Sequence, residues 1–171
     1  MKGRVILFLD FDGVICDSAT ESFVTSWAAY REGVRGEPPS PPPEEARRDF
    51  FLMRPLSRRG EDFMLMQDLI RRGIVLRDQE SFDAEARRAG ADTMRRYRET
   101  IYATRAKVVE RDRSAWLKLN RIYPHMEEAF RRMPADAPVR IISTKRPEYV
   151  AEILRAFSLP VDRSRVIYAE N

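Results

Sequence analysis

The sequence predicts an α/β fold whose parallel sheet is interrupted by a long all-helical insert. Three observations carry that prediction. The run Val5-Ile6-Leu7-Phe8-Leu9 is apolar without alternation and is closed by Asp10, the pattern of a strand buried on both faces of a parallel sheet. Two more short apolar runs, Val139-Arg140-Ile141-Ile142-Ser143 and Arg165-Val166-Ile167-Tyr168, stand near the other end of the chain. Between them and the first run, almost every segment has helical spacing.

Residues 4–10 are the first predicted strand. Thr20 to Arg31 reads as one amphipathic helix, followed by Gly33 and Gly36. The block Pro38-Pro39-Ser40-Pro41-Pro42-Pro43 is a stiff extended linker, because proline fixes φ and removes the donors that regular structure needs. Helices are predicted over Glu44–Met53, Gly60–Arg72 and Ser81 to about Asp112, with breaks at Arg54-Pro55 and Gly73. Arg121 to Arg132 returns the chain to the sheet; Ile122, Met126, Ala129, Phe130 and Met133 share a face, and Pro124 suits a first turn. Pro147 to Phe157 places Val150, Ile153, Leu154 and Phe157 on one side, again with proline where a missing N–H costs nothing. Strand, helix, strand makes a βαβ unit with a right-handed crossover. The expected division is a core of residues 1–17 and 118–171 around a helical insert of residues 18–117, about 100 residues and within the size of a small domain.

Composition bounds the function classes. The chain has 171 residues, 43% hydrophobic and 34% charged, an ordinary globular balance. Its longest apolar run falls far short of the roughly 20 residues of a membrane helix, so no membrane partner is expected. Arg4 through Asp12 offers no secretory signal, and the one cysteine, Cys16, cannot close an internal disulfide; a cytoplasmic location is the expectation. The net charge of +4 is almost all arginine, with lysine only at positions 2, 107, 118 and 145. Arginines and acids alternate from Glu85 to Glu99, which reads as a solvated helix face laced with ion pairs. Without an aromatic stacking pattern or a known module, no nucleic-acid partner is expected.

The chemistry gathers at Asp10-Phe11-Asp12-Gly13-Val14, directly after the first strand. Residues i and i+2 of an extended segment project to one side, so Asp10 and Asp12 can converge at the carboxyl edge of the sheet, where α/β folds bind ligands. Two carboxylates side by side repel, which implies a shared proton or a bound cation, and hard oxygen ligands favour Mg²⁺. Gly13 permits a sharp turn and the close approach of backbone N–H groups to an anion. The plainer alternative is a capped turn with a solvated second acid.

Phe8-Leu9-Asp10-Phe11-Asp12-Gly13-Val14-Ile15-Cys16-Asp17-Ser18 resembles the first motif of the haloacid dehalogenase-like (HAD) hydrolase superfamily, a hydrophobic strand followed by Asp-x-Asp. The helical insert just after it resembles the C1 cap of the phosphoglycolate phosphatase-like branch. Ile141-Ile142-Ser143-Thr144-Lys145 is similar to the family's second motif, a strand ending in serine or threonine. The resemblance implies a Rossmann-like core, with Asp10 as the nucleophile that forms an aspartyl-phosphate and Asp12 as general acid and base. It implies Mg²⁺ held by the Asp10 carboxylate and the Asp12 backbone carbonyl. Ser143, Thr144, Gly13 and Lys145 would bind the phosphoryl group, assisted by the N-terminus of the helix that follows. The implied activity is hydrolysis of a small phosphorylated metabolite, with phosphomutase chemistry also open.

The family's third motif, a lysine, and its fourth, an acidic pair on a further strand, have no counterpart before the sequence closes at Tyr168-Ala169-Glu170-Asn171. The expectation is therefore a C-terminally truncated core in which Lys145, the one lysine after Ser143, is a weak substitute for the third motif, and Arg163 and Arg165 are stand-ins set against the plainer reading of solvated loop arginines. A second expectation follows, a truncated or degenerate HAD-like protein without turnover that binds a phosphate ligand or a protein. An incomplete sheet leaves an edge that a second copy could cover, as a homodimer. In the insert, Arg58 and Arg59 are candidates to grip the substrate, against the alternative that they pair with Glu61 and Asp62. His125, the one histidine, reads as a turn residue.

Overall fold

The computed structural model describes residues 6–134, 137–159 and 161–169. In chain order the elements are β1 (Leu7–Asp10), β2 (Cys16–Asp17), α1 (Ala19–Ala28), α2 (Glu44–Met53), α3 (Gly60–Arg71), α4 (Gln79–Ala89), α5 (Ala91–Arg111), α6 (Arg113–Lys118), β3 (Arg121–Ile122), α7 (Pro124–Arg132), β4 (Val139–Ser143), α8 (Pro147–Ala156) and β5 (Val166–Tyr168). The described residues form two compact units. One holds those up to Ser18 and from Leu117 onward; the other is Ala19–Trp116. The architecture is mixed α/β, and among the described residues no helix is long and apolar enough to cross a membrane.

In the first unit, β1, β4 and β5 form a three-stranded parallel sheet in that order. The register puts Leu9, Ile141 and Val166 on one face and Asp10, Ile142 and Ile167 on the other. Successive strands are added in one direction, β1 to β4 to β5. Val150, Ile153 and Leu154 of α8 are buried, as are Ile141 and Val166. Ile142 and Ile167 on the opposite face remain 38% and 42% exposed. The expectation that the first strand is buried on both faces therefore fails. β1 is an edge strand with Leu7 and Phe8 about half exposed, at 48% and 52%. A continuous apolar run reports a lack of polar side chains, not how many neighbours the strand has.

A two-residue antiparallel ribbon, β2 with β3, pairs Cys16 with Ile122 and Asp17 with Arg121. Elements this short leave no periodicity to read, so neither strand is predicted. After this ribbon α7 begins at Pro124, the proline that the sequence assigns to a first turn.

The second unit is helical and packs around Phe23, Phe50, Phe63, Met64, Leu69 and Ile101, all buried. Phe50 is the hub, with its ring centroid 5.2 Å from Phe23 and 5.9 Å from Phe63. Two boundaries differ from the sequence pattern. α1 runs on into a π-helical turn, Ala29–Val34, and the helix predicted over Ser81–Asp112 is two helices broken at Gly90. Gly90 adopts φ 81° and ψ 156°, a region open essentially to glycine alone. The N-terminus of α4 is capped by Asp78, whose carboxylate accepts from Ser81 N at 2.8 Å.

Charge alternation in the insert is mostly the expected surface pairing, as in Arg72–Glu85 at 2.9 Å. Arg105 is different. It turns inward to Glu21, donating from Nε at 2.8 Å and from Nη2 at 3.3 Å. Thr25 Oγ1 at 2.9 Å and Trp116 Nε1 at 3.2 Å donate to the same carboxylate. All four side chains are buried, so α1, α5 and α6 are joined through one ionised network.

Candidate active site

β1 ends at Asp10 and the chain turns at once. Ile15 N and Cys16 N both donate to Phe11 O, at 3.0 and 2.9 Å, and Gly13 N donates to Cys16 O at 2.8 Å. Strand alternation thus stops at Asp10, and Asp12 belongs to the turn; the two acids are not consecutive same-side residues of one strand. Asp10 is exposed, with Oδ1 accepting from Phe11 N at 2.7 Å. Gly13 sits at φ 87°, in the left-handed region that favours glycine. Its N–H is spent on Cys16 O, so it supplies the turn and not the phosphate-binding N–H expected of it.

Asp12 is half-buried and held from two sides. Ser18 Oγ donates to its Oδ1 at 2.5 Å, and Lys145 Nζ lies 3.1 Å from the same oxygen. Parallel pairing of β1 with β4 explains the meeting. Asp10 lies opposite Ile142, so the residues after each strand emerge at one carboxyl edge. There Ser143 Oγ accepts from Lys145 N at 3.0 Å, a serine turn that aims the lysine back toward Asp12. Ser143 is buried and Thr144 half-buried. Lys145 is only 5% exposed, its ammonium 5.8 Å from the Phe11 ring centroid. The carboxylate and the aromatic face each offset part of the hydration that a buried ammonium loses.

Cys16 is buried beside this group. Burial pushes its thiol up to about 12, while the Lys145 charge pulls down and Asp12 pushes up. A thiol so placed stays protonated near neutral pH and is no nucleophile. The anionic oxygens of Asp10 and Asp12 are what the site offers an electrophile or a cation. They suit magnesium, which takes one or two carboxylates and keeps several waters. Among the described residues no group of three or more His, Cys, Asp or Glu side chains is placed to hold a metal.

Sequence reasoning brought Asp10, Asp12, Ser143, Thr144 and Lys145 to this edge and missed Ser18 and Phe11. No local pattern signals Ser18; the turn closed by Ile15 N and Cys16 N on Phe11 O lies between Asp12 and the residue six positions on that meets it. Arg58 and Arg59 belong to the other unit. Arg58 is forked onto Asp83, at 3.2 Å from Nη1 and 3.3 Å from Nη2. Backbone N–H groups of Arg58 and Arg59 both donate to Asp62 Oδ2, at 2.8 and 3.0 Å. Burial holds that Asp62 carboxyl above its ordinary range, although the two N–H groups pull it down. The substrate grip expected of Arg58 thus finds its guanidinium already on a carboxylate, though not on Glu61, which takes Arg98 at 2.7 Å. His125 stacks on Tyr123 with centroids 5.7 Å apart.

Comparison with known proteins adds no relative: no family model matches the chain, and neither curated proteins nor solved structures give a match.

Proposed function

We propose that this chain is a magnesium-dependent phosphohydrolase of the haloacid dehalogenase-like type, acting on a small phosphorylated metabolite through Asp10. The observation that carries the reading is the meeting at one strand edge of an exposed carboxylate, a second carboxylate in a turn, and a buried lysine 3.1 Å from that second acid. Asp10 is ionised at neutral pH and needs no base to act as nucleophile. Its oxygen forms the bond to phosphorus as the bond to the leaving oxygen breaks, and Asp12 donates the proton that oxygen takes up. Asp12 then removes a proton from water as that water attacks phosphorus, releasing phosphate and restoring Asp10.

The Asp10 carboxylate and the Asp12 backbone carbonyl would hold magnesium, whose positive charge would lessen repulsion between nucleophile and substrate. Lys145 adds a cation next to Asp12. The Ser143 oxygen already accepts from Lys145 N, so its hydroxyl hydrogen is the donor that a phosphoryl oxygen would receive.

The test is phosphate release from an aryl phosphate in the presence of Mg²⁺. Wild type turns over and Asp10→Asn does not; turnover retained by that variant would refute the nucleophile assignment. A second reading, phosphate-ligand binding without turnover, is favoured by the contacts of Asp12. Ser18 Oγ and Lys145 Nζ both meet Oδ1 of Asp12, so that oxygen is engaged by donors rather than presented to a leaving group. Folded wild type that binds inorganic phosphate yet releases none from the aryl ester would select it.

A further inference from the structure

Residues 35–43, between the π-helical turn and α2, belong to no helix or strand. The block Pro38-Pro39-Ser40-Pro41-Pro42-Pro43 fills most of this stretch. Each proline ring fixes φ at about −65°, and a residue that precedes proline is pushed to extended ψ. Both constraints act on Pro38, Pro41 and Pro42, and the second acts also on Glu37 and Ser40. Pro43 has φ −69° and ψ 150°, the dihedrals of polyproline II. Covalent geometry thus sets the block in polyproline II, which needs no ladder of hydrogen bonds, and the ψ of Pro39 is the one angle left to its surroundings.

Polyproline II repeats every three residues and rises about 3.1 Å per residue, so positions three apart share an edge and stand about 9 Å from one another. Pro38 and Pro41 form one edge, Pro39 and Pro42 the next, and Ser40 and Pro43 the third. The middle of the block is tied down. Ser40 is half-buried, and its carbonyl accepts from Trp27 Nε1 of α1 at 2.9 Å. Pro38, Pro39 and Pro41 are exposed, and Pro42 is half-buried. Two Pro-Pro pairs one turn apart therefore stand at the surface of the helical unit, on a backbone held at its centre. Joining α1 to α2 would need stiffness alone, whereas a matched pair of exposed apolar ridges is a shape that a groove can read.

We propose that Pro38-Pro39-Ser40-Pro41-Pro42 is a docking surface for a protein domain that reads polyproline II through a groove lined by aromatic side chains. Grooves of that kind take proline-containing pairs spaced one turn apart, and Pro38-Pro39 and Pro41-Pro42 have that spacing. Flat proline rings pack on aromatic faces, and the block carries no charge that such a groove would have to desolvate. The block is already extended, so docking orders little further chain and loses little entropy. The inference is independent of the phosphohydrolase reading, because it uses no residue of the first unit.

The experiment titrates the unlabelled full chain into two isotope-labelled probes, an SH3 domain and a WW domain, and follows the amide resonances of each domain by NMR. Labelling the domain keeps signals of the chain itself out of the spectrum. Saturable shifts confined to the aromatic groove of at least one domain are expected, and an excess of a free proline-rich peptide should reverse them. Pro39→Ala with Pro42→Ala removes one ring from each pair and should weaken binding tenfold or more. Ser40→Ala should bind within threefold of wild type, because the contact of Ser40 with Trp27 runs through its backbone carbonyl. Far-UV circular dichroism checks that both variants keep their helices. Wild type that shifts the groove of neither domain overturns the proposal, as do shifts lying outside the groove, and as does a folded double variant that binds within threefold of wild type. The first two of those outcomes are read on the unmodified chain, so a variant that failed to fold would not shelter the idea.

Discussion

The buried network around Glu21 allows a stability prediction to be worked from the coordinates. Glu21→Gln keeps the shape of the side chain and removes its charge. In the native protein the carboxylate accepts from Arg105 Nε and Nη2, from Thr25 Oγ1 and from Trp116 Nε1. A glutamine offers one acceptor oxygen, and its NH₂ faces one of the donors, so at least one contact becomes donor against donor. The larger effect is the loss of the negative charge that faces the Arg105 guanidinium, whose side chain is 5% exposed. Breaking a buried pair from one side costs about 3–5 kcal/mol, a large share of the roughly 5–15 kcal/mol that holds an ordinary domain.

With a urea m-value of about 1–3 kcal/mol per molar, a 4 kcal/mol loss moves the midpoint by roughly 2 M. Far-UV circular dichroism is the assay, because the Glu21 unit is helical and Trp116 fluorescence would itself be disturbed. Glu21→Leu with Arg105→Met removes both charges and should lose much less than the sum of the single changes. What it keeps losing is the acceptor for Trp116 N–H, worth about 1–3 kcal/mol if left buried, while Thr25 can turn to a backbone carbonyl. A Glu21→Gln midpoint within about 0.5 M of wild type would refute the reasoning, as would a strictly additive double variant.

Three further outcomes follow from the same geometry. Lys145→Met should lower aryl-phosphate turnover by about 10²–10³-fold, the usual cost of one charge-stabilising donor; turnover within threefold of wild type would remove Lys145 from the site. Cys16 has its thiol raised from 9.0 to about 12, so the native state favours the protonated form and the thiol's share of stability is present below pH 9 and is lost as pH rises toward 12. Native protein should accordingly resist iodoacetamide at pH 8, and Cys16→Ala should flatten the alkaline fall in stability; rapid native alkylation counts against the burial argument. Gly90→Ala should cost about 1–3 kcal/mol through backbone strain alone, since an added Cβ meets nothing within 4 Å. A thermal melt of that variant equal to wild type would show that α4 and α5 can re-form their junction freely.

How much of this was legible in the sequence depended on the length of each signal. α2 and β4 match their predicted bounds because each pattern ends on strong punctuation, proline before Glu44 and Pro138 before Val139. The break at Gly90 was missed because a lone glycine within helical spacing does not announce that it will take a positive φ. The inward turn of Arg105 was missed for a related reason. In an arginine-rich helix one buried guanidinium has the same spacing as its surface neighbours, and only the distant Glu21 distinguishes it. At the candidate site the residue types were readable, but their contacts were not. Asp12 and Lys145 are more than a hundred positions apart, and strand order, which no local pattern states, is what brings them within 3.1 Å.

The two buried cations differ in a way that separates architecture from chemistry. Arg105 grips Glu21 with two nitrogens, and Thr25 and Trp116 hold the same carboxylate from other sides, both acid and guanidinium being shielded from water. No incoming anion could match that set, so the arrangement is fixed. Lys145 meets Asp12 through a point charge with three rotatable donors, and the Asp12 side chain keeps 21% of its surface exposed. Under the proposed function, an ammonium of that kind would swing part of its hydrogen bonding from a carboxylate oxygen to a phosphoryl oxygen at its edge, trading one anion for another at little cost in desolvation. Replacing it with arginine would introduce a planar fork too bulky for a position 5% exposed, which is why charge alone is not what the position requires.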